Sequence, residues 1–206
     1  MTNLAGLCVG CGIFMAYAPL ASMAQAPTSL GYGIGVSVTA AGALLVPHGA
    51  VQIVVGPAAG DFCARIGARP TLAIGTALNT ATMAGIAVVH GSVAALLVGG
   101  TLLGKGQAMA LTAMANLIVT AAPQRDVGIA TGMNAVMRTI GMALGSALSA
   151  AIVAGATAPG SAFASEPGYV VTFAVAACAT AGAVVCAVAL PRDGRLATAH
   201  AAYVSS

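Results

Sequence analysis

Charged residues are scarce in this sequence of 206 residues. Lysine and arginine number 7, aspartate and glutamate number 4, and together they make up 5% of the chain. An ordinary soluble domain carries about 25% charged residues, which help to cover its surface. The scarcity therefore argues against a water-soluble enzyme, a nucleic-acid-binding protein and a disordered charged tail.

The sequence also lacks a cluster of cysteines and histidines that could hold a metal ion. The cysteines number five, and Cys8 and Cys11 have a spacing that occurs in redox and metal sites. They lie in an apolar segment, however, with no second pair of cysteines or histidines nearby. We interpret the cysteines as small buried apolar side chains, and we expect no metal and no other cofactor.

Apolar residues dominate what is present, at 59% of the sequence, and the mean hydropathy is +0.99. A helix needs about 20 mostly apolar residues to cross the hydrocarbon core of a bilayer. Six segments qualify: residues 4–24, 34–58, 71–90, 93–120, 127–155 and 169–190. The runs are continuous, whereas barrel strands would alternate polar and apolar residues. The sequence thus predicts an all-α integral membrane protein whose six helices lie in the lipid bilayer.

The basic residues of the connections all fall on one side of this six-span path. They are Arg65, Arg69, Arg125, Arg192 and Arg195, and the other three connections contain no lysine or arginine. Loops with an excess of lysine and arginine stay in the cytoplasm. Both termini are therefore predicted to be cytoplasmic, in a multi-pass protein of the cell (plasma) membrane. We expect one transmembrane bundle over residues 1–192 and a flexible cytoplasmic tail over residues 193–206.

Two basic residues lie inside predicted spans, Lys105 in the fourth and Arg138 in the fifth. A lysine or arginine at the centre of a spanning helix costs about 2.5–3.5 kcal/mol on insertion scales, so it normally faces a protein interior or a wet cavity. Each belongs to a stripe of small and polar residues at helical spacing. The stripes are Thr101, Lys105, Ala108, Thr112 and Asn116, and Asn134, Arg138, Gly141, Gly145 and Ser149.

These stripes predict a polar lining near the middle of the membrane. The residues expected to line a cavity and to contact a small-molecule substrate are Thr101, Lys105, Thr112, Asn116, Asn134 and Arg138. The alternative is a structural network in which the same side chains bind backbone carbonyls of neighbouring helices.

Carboxylates are missing from the middle of the predicted spans. Asp61, Asp126, Glu166 and Asp193 lie in loops or at span ends, so none is placed to relay protons across the membrane. The one titratable candidate in mid-span is His48, which follows Pro47. Because histidine titrates in the physiological range, His48 is a candidate protonation site. The alternative is a hydrogen-bonded structural residue.

Glycine is abundant, with 27 residues, and many of them are spaced four apart. Small residues at this spacing let membrane helices approach closely. The pairs are Gly56 and Gly60, Gly100 and Gly104, Gly128 and Gly132, and Gly141 and Gly145. We interpret them as helix-packing positions.

Two stretches resemble one transporter family. Residues 60–70 read GDFCARIGARP. They resemble the cytoplasmic loop signature of the major facilitator superfamily, roughly G-x-x-x-D-R-x-G-x-R. Gly60, Arg65, Gly67 and Arg69 match, while the family's aspartate falls at Ala64 and Asp61 lies three residues earlier. Residues 132–145 read GMNAVMRTIGMALG and look like the penultimate helix of the 14-helix drug–proton antiporter branch.

The resemblance implies a C-terminal six-helix half, built as two inverted three-helix repeats. In that family the first helix of each repeat lines the central cavity, and here the fourth span carries Lys105. Transport by alternating access would need a second six-helix bundle, either another copy or an N-terminal half. We therefore expect a small-molecule or drug exporter of the antiporter type.

The alternative is a truncated membrane protein that folds and associates but does not transport. We do not expect an enzyme, because no nucleophile with a base and no set of metal ligands falls at membrane depth. Nucleic-acid binding has no support.

Overall fold

The computed structural model describes residues 1–190, and no strand occurs within that range. Arg192, Asp193, Arg195 and the predicted tail at residues 193–206 lie outside the described residues. The helices are α1 (Thr2–Gln25), α2 (Val38–Ala43), α3 (Val46–Ile66), α4 (Ala68–Val88), α5 (Val93–Ala121), α6 (Val127–Gly155) and α7 (Glu166–Ala189), with a short 3₁₀ turn at Thr28–Leu30. With α2 and α3 taken together, six of these helices are long and apolar enough to cross a membrane. The prediction of an all-α membrane protein is thus confirmed for the described residues.

The second span is interrupted where a proline removes a hydrogen bond. The first segment, α2, ends at Ala43, and α3 begins at Val46 with Pro47 in its first turn. Proline has no N–H to donate to the carbonyl four residues earlier, which here belongs to Ala43. The chain therefore restarts its helix at Val46.

The turn between α3 and α4 is much tighter than the sequence pattern predicts. The pattern ends the second span at residue 58, yet α3 continues to Ile66 and α4 begins at Ala68. The turn is the single residue Gly67, whose φ is 93° and whose N–H donates to the Cys63 carbonyl at 2.9 Å. Only glycine adopts that conformation without strain. Most of the predicted loop signature is therefore helical, with Asp61 and Arg65 exposed on α3.

Two helices form the centre of the bundle. Helix α1 packs on α6 and α7, and α5 packs on α3 and α4. Within the most apolar stretch of each span, 61% of α1 and 50% of α5 are buried, against 17% of α6 and 17% of the span formed by α2 and α3. The first helix of each three-helix half thus packs on the second helix of the other half. This reciprocal pairing is the one expected of inverted repeats.

The glycine pairs fall into two groups. A Cβ on Gly104 would meet the backbone of His48, and one on Gly141 or Gly145 would meet the backbone of Leu7 or Cys11. Gly100 faces the Leu44 carbonyl oxygen at 3.5 Å from its ideal Cβ position. These two pairs bring α5 onto α3 and α6 onto α1, as small-residue spacing permits. The outward-facing pairs, Gly56 with Gly60 and Gly128 with Gly132, have no neighbouring atom within 4 Å.

Polar contacts join α4 to α7 at three levels of the membrane. At the cytoplasmic end predicted above, Arg69 donates to the Ala187 carbonyl at 3.2 Å and also to the Val188 carbonyl. In the middle, the Thr80 hydroxyl donates to the Thr180 oxygen at 3.0 Å. At the far end, Nε2 of His90 lies 3.1 Å from Oε1 of Glu166. Together they hold α4 and α7 as one unit.

At the same far end, two tyrosines form hydrogen bonds that join neighbouring turns and helices. Burial raises the pKa of Tyr32, and the neighbouring Tyr169 and Glu166 raise it further. The neutral hydroxyl of Tyr32 donates to the Ala164 carbonyl, which joins the turn after α1 to the turn before α7. The Ser22 and Tyr169 hydroxyls lie 2.8 Å apart and join α1 to α7 nearby.

Alanine at Gly145 is expected to destabilise the bundle, whereas alanine at Gly132 is not. The added methyl of Gly145→Ala would overlap the Cys11 backbone and force α6 away from α1. Overpacking of this kind costs about 1–3 kcal/mol. Gly132 lies on the same helix in open space, which makes Gly132→Ala the matched control. Thermal unfolding of the purified chain in detergent measures both, and equal effects of the two variants would contradict this packing.

Candidate functional site

Four polar side chains from three helices meet inside the bundle. They are Tyr17 of α1, His48 and Gln52 of α3, and Gln107 of α5. The Tyr17 hydroxyl lies 2.8 Å from Nε2 of His48 and 3.1 Å from Oε1 of Gln107. Nε2 of Gln52 lies 2.7 Å from Nε2 of His48 and 3.3 Å from Oε1 of Gln107. We call these four residues the polar network.

Local helix geometry explains why these side chains converge. His48 and Gln52 are one turn apart, so they share a face of α3. Gly104 lets α3 approach α5 closely enough for Nδ1 of His48 to lie 3.2 Å from the Gly100 carbonyl oxygen. Gln107 comes two turns after Gly100 and therefore faces the same junction. His48 is only 6% exposed and Gln107 9%, which places the network inside the protein.

The hydrogen-bond pattern defines the proton positions on His48. The Gly100 carbonyl can only accept, so Nδ1 of His48 carries a hydrogen. In neutral His48 the lone pair on Nε2 then accepts from the Tyr17 hydroxyl or from the Gln52 amide. This arrangement satisfies the buried imidazole on both sides.

The same four side chains accommodate a second proton on His48. With Nε2 protonated, the Tyr17 oxygen accepts from it, and the Tyr17 hydroxyl donates to Gln107 instead. Rotation of the Gln52 amide turns its oxygen towards Nε2. The network therefore offers hydrogen-bond partners to both protonation states of the imidazole.

Lys105 lies on a different side of α5 from the polar network. The preceding residue, Gly104, packs on α3, and Gln107 lies about 200° around the helix from Lys105. The lysine side chain is exposed and makes no hydrogen bond or ion pair with the described residues. The structure thus separates Lys105 from His48.

The other predicted residues of α5 bind their own helix. The Thr101 hydroxyl donates to the Leu97 carbonyl at 2.7 Å, and Nδ2 of Asn116 donates to the Thr112 carbonyl at 3.0 Å. Thr101, Thr112 and Asn116 are all partly buried. None of them joins the polar network.

On α6, the two predicted polar residues contact α1 near its start. Asn134 is 5% exposed and donates to the Thr2 carbonyl at 3.1 Å and to Oδ1 of Asn3 at 3.2 Å. Arg138 is partly buried, and its backbone carbonyl packs against Gly10. Its Nε is buried without a hydrogen-bond partner among the described residues. Asn134 thus joins two helices, and Arg138 leaves a donor unused.

Sequence reasoning singled out His48 but missed its three partners. Tyr17, Gln52 and Gln107 come from three helices, and the pattern of one helix does not reveal how it faces the others. One signal was available, because Gln52 follows His48 by one helical turn within an apolar run.

Comparison with known proteins identifies relatives. The family described as the Major Facilitator Superfamily matches residues 2–203. The Multidrug resistance protein Stp of Mycobacterium tuberculosis, in two strains, is 32% identical over 114 residues, which is 53% of this chain and 21% of that protein. A crystal structure of a D-xylose-proton symporter superposes with a TM-score of 0.70 at 20% identity, over 99% of this chain and 51% of that one. The chain therefore spans about half the length of that transporter.

Neutral His48 is expected to carry its hydrogen on Nδ1. The Gly100 carbonyl requires a donor there, and the partner of one ring nitrogen decides the tautomer. Nitrogen-15 NMR of the histidine-labelled chain in detergent at alkaline pH distinguishes the two ring nitrogens, and His48→Gln assigns the signal. A His48 signal with the hydrogen on Nε2 would contradict this geometry.

Proposed function

Because the chain belongs to the major facilitator superfamily, we propose that it is one six-helix bundle, the C-terminal one, of a transporter that exports small molecules across the cell membrane by alternating access. The observation that carries the proposal is the family match over residues 2–203, together with a polar network at the junction of α1, α3 and α5. The multidrug-resistance relative supports export as the direction and drug-like molecules as the substrate class.

The partner in this proposal is a second six-helix bundle. Helices α3 and α6 are the least buried of the bundle, and both carry outward-facing glycine pairs. Glycine on an exposed face permits another helix to approach closely. We assign the second bundle to the faces that carry Gly56, Gly60, Gly128 and Gly132. It is supplied either by another copy of this chain or by an N-terminal half.

In this mechanism the polar network takes up and releases the coupling proton. His48 binds the proton, and Tyr17, Gln52 and Gln107 exchange hydrogen bonds around it. Alternating access then exposes the network to one side of the membrane at a time. Arg138, with its unused Nε donor, is placed to bind an anionic group of the substrate or a carboxylate of the partner bundle.

The positions of the basic residues support an orientation of the bundle in the membrane. Arg65 and Arg125 lie at turns that a six-span path places on the same side. We assign that side, with both chain termini, to the cytoplasm.

The mass of the purified chain in mild detergent tests self-pairing. If a second copy supplies the other bundle, native mass spectrometry is expected to show a dimer. Gly56→Leu with Gly132→Leu should return the chain to a monomer, because leucine at these faces blocks close approach. A wild-type monomer would overturn self-pairing.

Transport is tested in proteoliposomes with ethidium as the probe and a pH gradient as the driving force. His48→Gln is expected to lower gradient-driven transport by at least about tenfold, because glutamine cannot bind the coupling proton as the imidazole does. His90→Gln is the matched control, since His90 lies in the connection after α4 and outside the polar network. Wild-type chain that moves no ethidium under the gradient, even when joined to an N-terminal bundle, would contradict the proposed export of such molecules.

A further inference from the structure

A groove runs between α4 and α5, near the short connection that joins Val88 to Val93. It encloses about 490 Å³ and is lined almost wholly by apolar side chains. Small residues form much of its wall, among them Ala81 and Gly85 of α4 and Ala94 and Ala95 of α5. Gly85 has no neighbouring atom within 4 Å of its ideal Cβ position. Such a surface has room for the close approach of another helix.

Lys105 lies on the side of α5 that lines the groove, at the end of the groove nearer the middle of the helix. Val98 and Leu102 line the groove, and Lys105 follows Leu102 by about one turn, so the three residues share one side of α5. All three side chains are exposed. Lys105 lies close to the middle of a 29-residue helix, far from either membrane surface. A lysine at that depth is stabilised by an anionic partner.

This chain does not supply that partner from its described residues. Asp61 lies near the end of α3, Asp126 directly before α6, and Glu166 at the start of α7. None is near the middle of a span, and a second copy of the bundle has the same arrangement. A protein carboxylate that pairs with Lys105 must therefore come from a different segment.

Anionic lipids do not meet the requirement either. Their charged groups lie at the membrane surface, about 15 Å from the centre of the hydrocarbon core. A lipid in the groove would cover Val98 and Leu102 with its acyl chain and leave Lys105 unpaired. A helix that crosses the membrane can carry a carboxylate at the depth of Lys105.

We propose that a transmembrane helix with a glutamate or aspartate near its centre docks in the groove between α4 and α5 and pairs with Lys105. Its apolar side chains fill the groove above the ion pair, and the small residues of α4 and α5 allow it to approach closely. The docking surface lies between α4 and α5, apart from the outward-facing glycine pairs of α3 and α6. The helix therefore adds to the second bundle and does not replace it.

The probe is a labelled leucine-rich peptide of transmembrane length with one central glutamate, compared with the same peptide carrying glutamine. Energy transfer to the labelled full chain in phosphatidylcholine vesicles measures association. The glutamate peptide is expected to associate at least about threefold more strongly than the glutamine peptide, as interhelical polar pairs in membranes do. Lys105→Met should abolish that preference.

Two variants make the test specific. Arg138→Met removes the same charge from a different helix, and the preference for glutamate is expected to persist. Gly85→Leu fills the groove and should weaken the association of both peptides. Equal association of the two peptides with the wild-type chain would overturn the proposal. So would a preference that survives Lys105→Met or that disappears with Arg138→Met alone.

Discussion

The hydrocarbon core of a bilayer offers no hydrogen-bond partners, so the polar side chains of the bundle need partners from the protein itself. Thr76 and Thr82 of α4 find their partners locally, because their hydroxyls donate to the Leu72 and Leu78 carbonyls of the same helix. His48 finds its partners on neighbouring helices, in the Gly100 carbonyl of α5 and the Tyr17 hydroxyl of α1. Among the described residues well inside the spans, two charged side chains have donors without a partner: Lys105 and Arg138. In a membrane protein such residues mark contacts with substrates or with other helices.

Close approach of two helices allows a buried side chain of one to hydrogen-bond to the backbone of the other. Gly104 allows the backbone of His48 to contact α5, and only at that spacing does the His48 ring reach the Gly100 carbonyl. Gly141 and Gly145 do the same for α6 against α1, where Asn134 then reaches the start of α1. The glycines thus determine which backbone carbonyls become acceptors for side chains of a neighbouring helix. Helix packing and hydrogen bonding between helices in this bundle therefore depend on the same glycines.

The sequence predicted those features that depend on the residues of a single helix. Hydropathy identified six spans because lipid contact requires a continuous apolar run. The same pattern ended the second span too early, since Asp61 and Arg65 are polar but fully compatible with a helix that extends to Ile66. The pattern also grouped Lys105 with residues expected to line a cavity, whereas the packing of Gly104 on α3 turns Lys105 away from the polar network. The network itself depends on how three helices face one another, which the periodicity of single helices does not encode.

Asn79 shows which part of the bundle has no space to rearrange. It is 0% exposed, and neither of its amide atoms has a partner among the described residues. A Cβ on Gly75 would meet the Gly106 carbonyl, and one on Gly106 would meet the Asn79 oxygen, so no room remains between α4 and α5 at this level. Because α4 is also joined to α7 at three levels, it is held on one side by α5 and on another by α7. The polar network, by contrast, exchanges hydrogen bonds without breaking any backbone contact. The side chains of the polar network therefore have alternative hydrogen-bond partners, which the tightly packed surroundings of Asn79 do not offer.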